Sequence, residues 1–243
     1  MSSTGGRMGG QGNIAVLIDG ENVSDKYIKF IFEELSNNKE QVTYKRIYGD
    51  WTDNRLGAWK KVLHDYSITP IQQYAYTSGK NSSDSALIID AMDILYSGSV
   101  SAFCIVSSDS DFTRLASRLR ESGMLVIGMG ERKTPKPFIA ACESFKYLEV
   151  ISGAKKEDEP AEGDDLAQLI PVLEKIVEEN CDEGGFIFLG TVGSLLSRKL
   201  PDFDVRNYGF RSLTQLIRAT KSFKVDVRQL NGGSSNTYIA LKR

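Results

Sequence analysis

The sequence contains a single histidine, His64, and only three cysteines among 243 residues. One histidine argues against sites built from a histidine cluster and against a Ser-His-Asp triad. Cys104, Cys142 and Cys181 are widely spaced and odd in number, which indicates neither a disulfide framework nor a zinc motif. We therefore expect free thiols in a reducing cytosol. The available chemistry must come mainly from carboxylates, hydroxyls and amides.

Long apolar runs are also lacking. No stretch approaches the ~18 apolar residues that a membrane span needs, and the first twelve residues, MSSTGGRMGGQG, lack the apolar core of a secretory signal. We therefore expect a cytoplasmic protein without membrane contacts, with a flexible tail over residues 1–12. The formal net charge of -2 argues weakly against nucleic-acid binding by the chain as a whole, but the charge is unevenly distributed.

Strand-like and helical patterns alternate over the first half of the chain, which predicts an α/β fold with a parallel sheet flanked by helices. The predicted strands are residues 13–18, 42–48, 68–76, 101–106, 124–129 and 145–150. The predicted helices are residues 24–38, 53–66, 83–96, 111–122 and 137–144. The first strand is almost continuously apolar, as expected for a strand buried on both faces.

A sharp change in composition at residues 152–163, SGAKKEDEPAEG, predicts a linker. Beyond it, helical patterns at 164–180, 191–199 and 212–220 precede strand-like segments at 223–227 and 237–241. Three helices followed by a hairpin is the order of a small winged-helix (α+β) domain. The predicted domains are residues 13–151 and 164–243.

Carboxylates follow two of the predicted strands. Asp19 ends the first strand, Asp109 and Asp111 follow the fourth, and Asp84 begins a helix. Ligands bind beyond the carboxyl ends of strands in open parallel sheets. Carboxylates crowded in such a crevice need a cation or raised pKa values to coexist. Mg²⁺ or Mn²⁺ suits oxygen ligands, and phosphodiester hydrolysis at such an ion needs no histidine.

Each acid also has a purely structural interpretation. Asp-Gly is a common turn pair, and Asp84 and Asp111 are suited to capping helices. Asp90 lies six positions after Asp84, roughly 120° around a helix, where a solvated side chain is ordinary. The coincidence of Asp19 with the pair Asp109 and Asp111 at two strand ends favours a functional site.

Three motifs in this order resemble the NYN domain of LabA-like bacterial proteins, in the PIN-like superfamily. They are Asp19-Gly20-Glu21-Asn22, then Gly79-Lys80-Asn81-x-x-Asp84 before a helix carrying Asp90, and finally Ser107-Ser108-Asp109-Ser110-Asp111-Phe112. The resemblance runs from about residue 13 to residue 150 and implies a PIN-like parallel sheet with an acidic Mg²⁺ site. It implies metal-binding or catalytic roles for Asp19, Asp84, Asp109 and Asp111. Asn22 would position these acids, Asp90 would support them, and Lys80 is a candidate RNA contact.

The second half resembles the OST-HTH or LOTUS domain, a family associated with RNA binding. The resemblance rests on Phe188-Leu-Gly190-x-Val192-Gly193, Leu200-Pro201-x-Phe203-Asp204, Tyr208-Gly209-Phe210 and Leu213-x-x-Leu216-Ile217. Eight basic residues against three acids lie between Arg198 and Arg228, so a phosphate-binding surface is expected. The candidate RNA contacts are Arg198, Lys199, Arg206, Tyr208 and Arg211. Alternatively, Tyr208 and Phe210 belong to the core and the charges form a solvated face, and the domain binds protein partners.

These observations predict a metal-dependent ribonuclease with a C-terminal RNA-binding module. The alternative from another class is a catalytically weak RNA-binding or regulatory adaptor that retains the acidic site for metal or phosphate. A phosphatase with Asp19 as the nucleophile is a third reading. That chemistry normally requires a second aspartate two positions later, where this chain has Glu21.

Overall fold

The computed structural model describes residues 12–37, 41–74, 82–153, 163–229 and 235–242. The chain divides into two compact units between residues 154 and 155. Several sequence predictions lie outside the described residues. They are the tail up to residue 11, residues 75–76 of the third predicted strand, the Gly79-Lys80-Asn81 turn with its candidate RNA contact Lys80, and most of the linker. Residues 230–234, between the last two predicted strands, also lie outside them.

The N-terminal unit contains a six-stranded sheet in the order β3-β2-β1-β4-β5-β6, with every neighbouring pair parallel. Its strands are β1 (Asn13–Asp19), β2 (Gln41–Gly49), β3 (Thr69–Gln72), β4 (Ala102–Val106), β5 (Leu125–Gly130) and β6 (Ser144–Tyr147). The central strands β1 and β4 are almost completely buried. Their continuous apolar sequence reflects helices packed on both faces of the sheet.

In the described part of this unit, six α-helices pack on the two faces of the sheet. They are α1 (Ile28–Asn37), α2 (Gly57–Val62), α3 (Ser82–Ser97), α4 (Thr113–Glu121), α5 (Lys136–Ala141) and α6 (Leu148–Ile151). Alternate residues of β1 serve the two layers. Ala15 and Leu17 share a core with α3, α4 and α5, whereas Ile14, Val16 and Ile18 share one with α1, α2 and α6. The predicted α/β class with a helix-flanked parallel sheet is confirmed.

Three predicted elements differ from those observed. The predicted strand at residues 68–76 is shorter, because β3 ends at Gln72. The last predicted strand, residues 145–150, ends at Tyr147, and the chain turns into α6 because Leu148 is buried in the core shared with α1 and α2. The predicted helix at 53–66 consists of a 3-10 turn at Asn54–Leu56 and the short helix α2, followed by turns. Apolar spacing predicted which positions of these segments face the core, but not the residues at which each helix or strand ends.

The C-terminal unit has its own core and the predicted three helices. They are α7 (Gly163–Asn180), α8 (Leu189–Lys199) and α9 (Leu213–Thr220). The hairpin consists of β8 (Phe223–Gln229) and β9 (Ser235–Leu241). A two-residue strand, β7 (Ile187–Phe188), pairs with the other edge of β9, which gives an antiparallel sheet of order β7-β9-β8. Leu173, Val192, Ile217 and Ile239 contribute to the core. Within the described ranges, no helix is both long and apolar enough to span a membrane.

Candidate active site

The acidic residues gather where the strand order reverses. The chain moves from β1 outward through β2 and β3 on one side and from β4 through β5 and β6 on the other. The crevice beyond the carboxyl ends of β1 and β4 therefore lies at a topological switch point, where open α/β sheets bind ligands. Asp19 is the last residue of β1, and Ser107 directly follows β4.

Ser107 connects the two strand ends. Its hydroxyl donates to Asp19 Oδ2 at 2.7 Å and accepts a hydrogen bond from the Asp109 backbone N–H at 3.0 Å. Asp19 Oδ1 accepts from the backbone N–H groups of Glu21 and Asn22, each at 3.2 Å. Asp19 is thus held at both carboxylate oxygens and is only 3% exposed. Ser107 belongs to the Ser-Ser-Asp-Ser-Asp motif, but no signal in the sequence indicated this contact with Asp19.

Three carboxylates form a compact cluster beside Asp19. One oxygen each of Asp84, Asp109 and Asp111 lie within 4.8 Å of one another. Asp109 caps the 3-10 turn Ser110–Phe112 by accepting from the Asp111 backbone N–H at 2.9 Å. Asp84 lies in the first turn of α3. Asp109 therefore makes a capping contact, a role that the sequence suggested for Asp84 and Asp111.

Burial raises the pKa values of two of these acids. Burial raises the pKa of Asp19 to about 6, against the opposing effect of its hydrogen bonds from Ser107 and the backbone. The pKa of Asp84 rises to about 7, first because of burial and then because of the negative charges of Asp19, Asp109 and Asp111. A cation among these side chains would relieve both effects by favouring the ionised forms.

The donor set fits a hard divalent cation. Three carboxylates with converging oxygens offer the all-oxygen ligation that Mg²⁺ and Mn²⁺ prefer. Asn22 Oδ1 adds a buried oxygen acceptor that has no hydrogen-bond partner in the described part of the chain. Asp84, Asp109 and Asp111 are therefore the residues that would hold the ion, with Asp19 and Asn22 beside them.

Glu21 has a structural function at the mouth of this crevice. One of its carboxylate oxygens accepts from the Asp50 backbone N–H at 3.1 Å, and the other accepts from the Ser83 hydroxyl at 3.0 Å. These contacts connect the loop after β2 and the start of α3 to the end of β1. In the phosphatase hypothesis, Glu21 would have to act as the general acid two residues after a nucleophilic Asp19. Both carboxylate oxygens of Glu21 already accept hydrogen bonds, so the hypothesis gains no support.

Asp90 lies further along α3 in a different network. Its carboxylate accepts hydrogen bonds from Arg46 and Tyr48, both on β2. Tyr48 is completely buried and pairs in register with Asp19, and burial raises the pKa of its hydroxyl. Asp90 thus ties α3, the helix that carries Asp84, to the strand beside Asp19, and its supporting role in the site stays a prediction.

Asp90→Asn is expected to lower the free energy of unfolding by about 1–3 kcal/mol, because Arg46 and Tyr48 lose a charged acceptor in a partly buried site. Asp93→Asn on the exposed side of the same helix is the matched control and should change stability by less than about 0.5 kcal/mol. Urea unfolding of both variants gives the comparison. Equal stability of the two variants would contradict the anchoring role.

The candidate RNA contacts of the C-terminal unit lie on and after α8. Arg198 and Arg211 are exposed, Lys199 Nζ lies 3.5 Å from Glu179 Oε2, and Arg206 pairs with Asp204 at 2.7 Å. Tyr208 packs against the domain core, with its ring centroid 6.0 Å from that of Phe203. The packing of Tyr208 favours the alternative in which this aromatic is part of the core, and its contact with RNA stays a prediction.

Comparison with known proteins agrees with both halves of this description. The NYN domain family matches residues 13–149, and the OST-HTH/LOTUS domain family matches residues 164–234. No curated protein matches the chain. Among solved structures, a protein of unknown function from Vibrio parahaemolyticus is 19% identical, with a TM-score of 0.47 over 57% of this chain and 94% of that one.

Proposed function

Because this chain belongs to the NYN domain family and carries an OST-HTH/LOTUS domain, we propose that it is a metal-dependent ribonuclease that recognises RNA through its C-terminal unit. The observation that carries the proposal is the convergence of Asp84, Asp109 and Asp111 within 4.8 Å, beside the buried Asp19. NYN domains belong to a nuclease superfamily, and the acids placed here are suited to hydrolysis of a phosphodiester bond.

In the proposed mechanism, Mg²⁺ or Mn²⁺ held by Asp84, Asp109 and Asp111 would activate water and stabilise phosphoryl charge. The protein itself preorganises the acids. Ser107 fixes Asp19 and the Asp109 backbone relative to each other through one hydroxyl. Asp19 is held at both carboxylate oxygens, which fixes the end of β1 beside these acids.

Incubation of the full chain with a mixed RNA pool tests the proposal. We expect cleavage with Mn²⁺ or Mg²⁺ and none with EDTA, because carboxylates without a cation repel the negative charge on the phosphoryl oxygens. The same pool with single-stranded DNA separates ribonuclease from general nuclease activity. Intact RNA under every metal condition, together with measurable RNA binding, would instead favour the adaptor function.

The C-terminal unit should dominate RNA affinity. Ending the chain after Gly163 is expected to weaken RNA binding more than it impairs cleavage at saturating RNA, because the acidic crevice repels phosphate until metal binds. Binding by the full chain should weaken as salt rises, since contacts between cations and phosphate release counterions. Equal RNA affinity of the truncated and full chains would contradict this division of labour and favour a protein-binding role for the domain.

A double variant that reverses two charges tests where RNA contacts the C-terminal unit. Arg206→Glu with Arg211→Glu should weaken RNA binding and reduce its salt dependence. Lys60→Glu with Lys61→Glu, an equal charge change at exposed positions of the N-terminal unit, is the control. Equal weakening by the two double variants would show a nonspecific effect of net charge.

A further inference from the structure

The small sheet of the C-terminal unit has an aromatic outer face. Phe188 on β7 pairs with Tyr238 on β9, which pairs with Asp226 on β8. Directly paired residues project to the same side of a sheet. The adjacent row contains Ile187 and Ile239, which are buried in the core. Because successive side chains alternate between faces, Phe188 and Tyr238 lie on the side away from the core.

These rings form a connected surface with an arginine. The centroids of Phe188 and Tyr238 are 5.7 Å apart. The Arg228 guanidinium lies 4.3 Å from the centroid of Tyr238 and 4.9 Å from that of Phe186. Asp226 holds the same guanidinium, with Oδ2 2.9 Å from Nε. We name Phe186, Phe188, Arg228 and Tyr238 the aromatic face.

Phe188 offers the accessible ring of this face. Its side chain is 40% exposed, although burial of a large aromatic side chain stabilises a fold. Its ring also lies against Gly190 at the start of α8, where an added Cβ would come within 2.5 Å of Phe188 Cε1. The ring is therefore held in position by Gly190 and Tyr238 while part of its surface remains open to solvent.

A cavity of ≈ 450 Å³, bordered by Phe186 and Lys224, adjoins the aromatic face. Small-molecule sites usually have volumes of about 300–1,000 Å³. Lys224 and Arg228 are exposed residues of β8 that alternate with Asp226 on the outer side. Glu178, Asp182 and Glu183 also line the cavity. Their carboxylates can accept hydrogen bonds from the amino groups of a base, whereas they would repel phosphate.

We propose that the aromatic face binds unpaired RNA bases, which stack on the exposed ring of Phe188, supported by Tyr238, while Arg228 contacts the adjoining phosphate. The proposal rests on RNA being the ligand, as in the proposed function. Aromatic rings beside cations are the combination that single-stranded nucleic acids require. Bases in a duplex are stacked on one another and cannot reach such a ring. Arg198, Lys199, Arg206 and Arg211 lie on or after α8 and do not belong to the aromatic face, so this face would add a second set of contacts.

The test measures binding of the full chain to a short single-stranded RNA containing 2-aminopurine, in EDTA so that no cleavage occurs. Phe188→Ala should weaken binding by about five- to 150-fold, the range for loss of one stacked base. It should also abolish the quenching of 2-aminopurine fluorescence that stacking causes. Tyr238→Leu keeps an apolar side chain on β9 and should likewise reduce the quenching. Thermal melting verifies that both variants remain folded.

Tyr96→Ala is the matched control, because it removes an aromatic ring that is 75% exposed in the N-terminal unit. It should bind the RNA as tightly as the unmodified chain. Unchanged affinity and quenching in Phe188→Ala and Tyr238→Leu would overturn the proposal, as would equal affinity of the full chain for a duplex of the same length. Failure of the proposed function would appear separately, as RNA that stays intact with the full chain under every metal condition.

Discussion

Asp109→Asn is expected to lower kcat for RNA hydrolysis by about three orders of magnitude. A metal ion contributes several kcal/mol to stabilisation of the transition state, and each 1.36 kcal/mol corresponds to a factor of about ten in rate. The KM should change much less, because RNA affinity is assigned to the C-terminal unit. Steady-state cleavage of one RNA by the variant and the unmodified chain measures both constants.

The substitution is conservative for the fold. Asparagine is as good a helix N-cap as aspartate, so its carbonyl can still accept from the Asp111 backbone N–H. Asp19→Asn should also lose activity, but it places an amide group against the Ser107 hydroxyl and alters that contact. Asp93→Asn, exposed on α3, is the control. Activity near that of the unmodified chain in Asp109→Asn would contradict the assignment.

The metal-free protein is expected to lose stability as pH rises from about 4 to about 7. The pKa of Asp19 is raised to about 6 and that of Asp84 to about 7. The folded state therefore holds more protons than the unfolded state in this window, and the free energy of unfolding falls as they are released. The raised pKa of Asp19 alone lowers the free energy of unfolding by about 3 kcal/mol across this pH range. A bound cation should reverse the loss.

Thermal melting at about pH 5 and about pH 8 measures this effect. In EDTA, Asp84→Asn should melt at a higher temperature than the unmodified chain at the higher pH and at a similar temperature at the lower pH, where Asp84 is protonated. Saturating Mn²⁺ should raise the melting temperature of the unmodified chain by roughly 5–10 °C at one hundred times its Kd. A similar Mn²⁺ shift in Asp84→Asn, or lower stability of that variant in EDTA at the higher pH, would contradict the account.

The acids that directly follow strands could be predicted from the sequence, because the strands themselves are recognisable. Continuous apolar runs marked β1 and β4, and the carboxylates following them fell at the same edge of the sheet once the strands were neighbours. The bridge through Ser107 could not be predicted in this way. Ser107 and Asp19 are 88 positions apart, and a serine after a strand has no periodicity that indicates its partner.

The C-terminal unit shows the same limit. Apolar spacing predicted its helices and hairpin, but a strand of two residues, Ile187–Phe188, is too short to produce an alternating pattern. The pairing of that strand with β9 is what brings Phe188 beside Tyr238. The sequence drew attention instead to Tyr208, whose ring packs against the core. Tertiary pairing therefore decided which aromatic side chains reached the surface.

Direct measurement of Mn²⁺ binding tests the central claim that the clustered acids form a metal site. The free Mn²⁺ signal in electron paramagnetic resonance is followed as the full chain is titrated, in parallel with Asp109→Asn. The account predicts that the unmodified chain binds Mn²⁺ over the concentrations that support RNA cleavage, and that Asp109→Asn weakens binding by at least about tenfold. Equal binding by the two chains, or RNA cleavage without any bound Mn²⁺ or Mg²⁺, would contradict it.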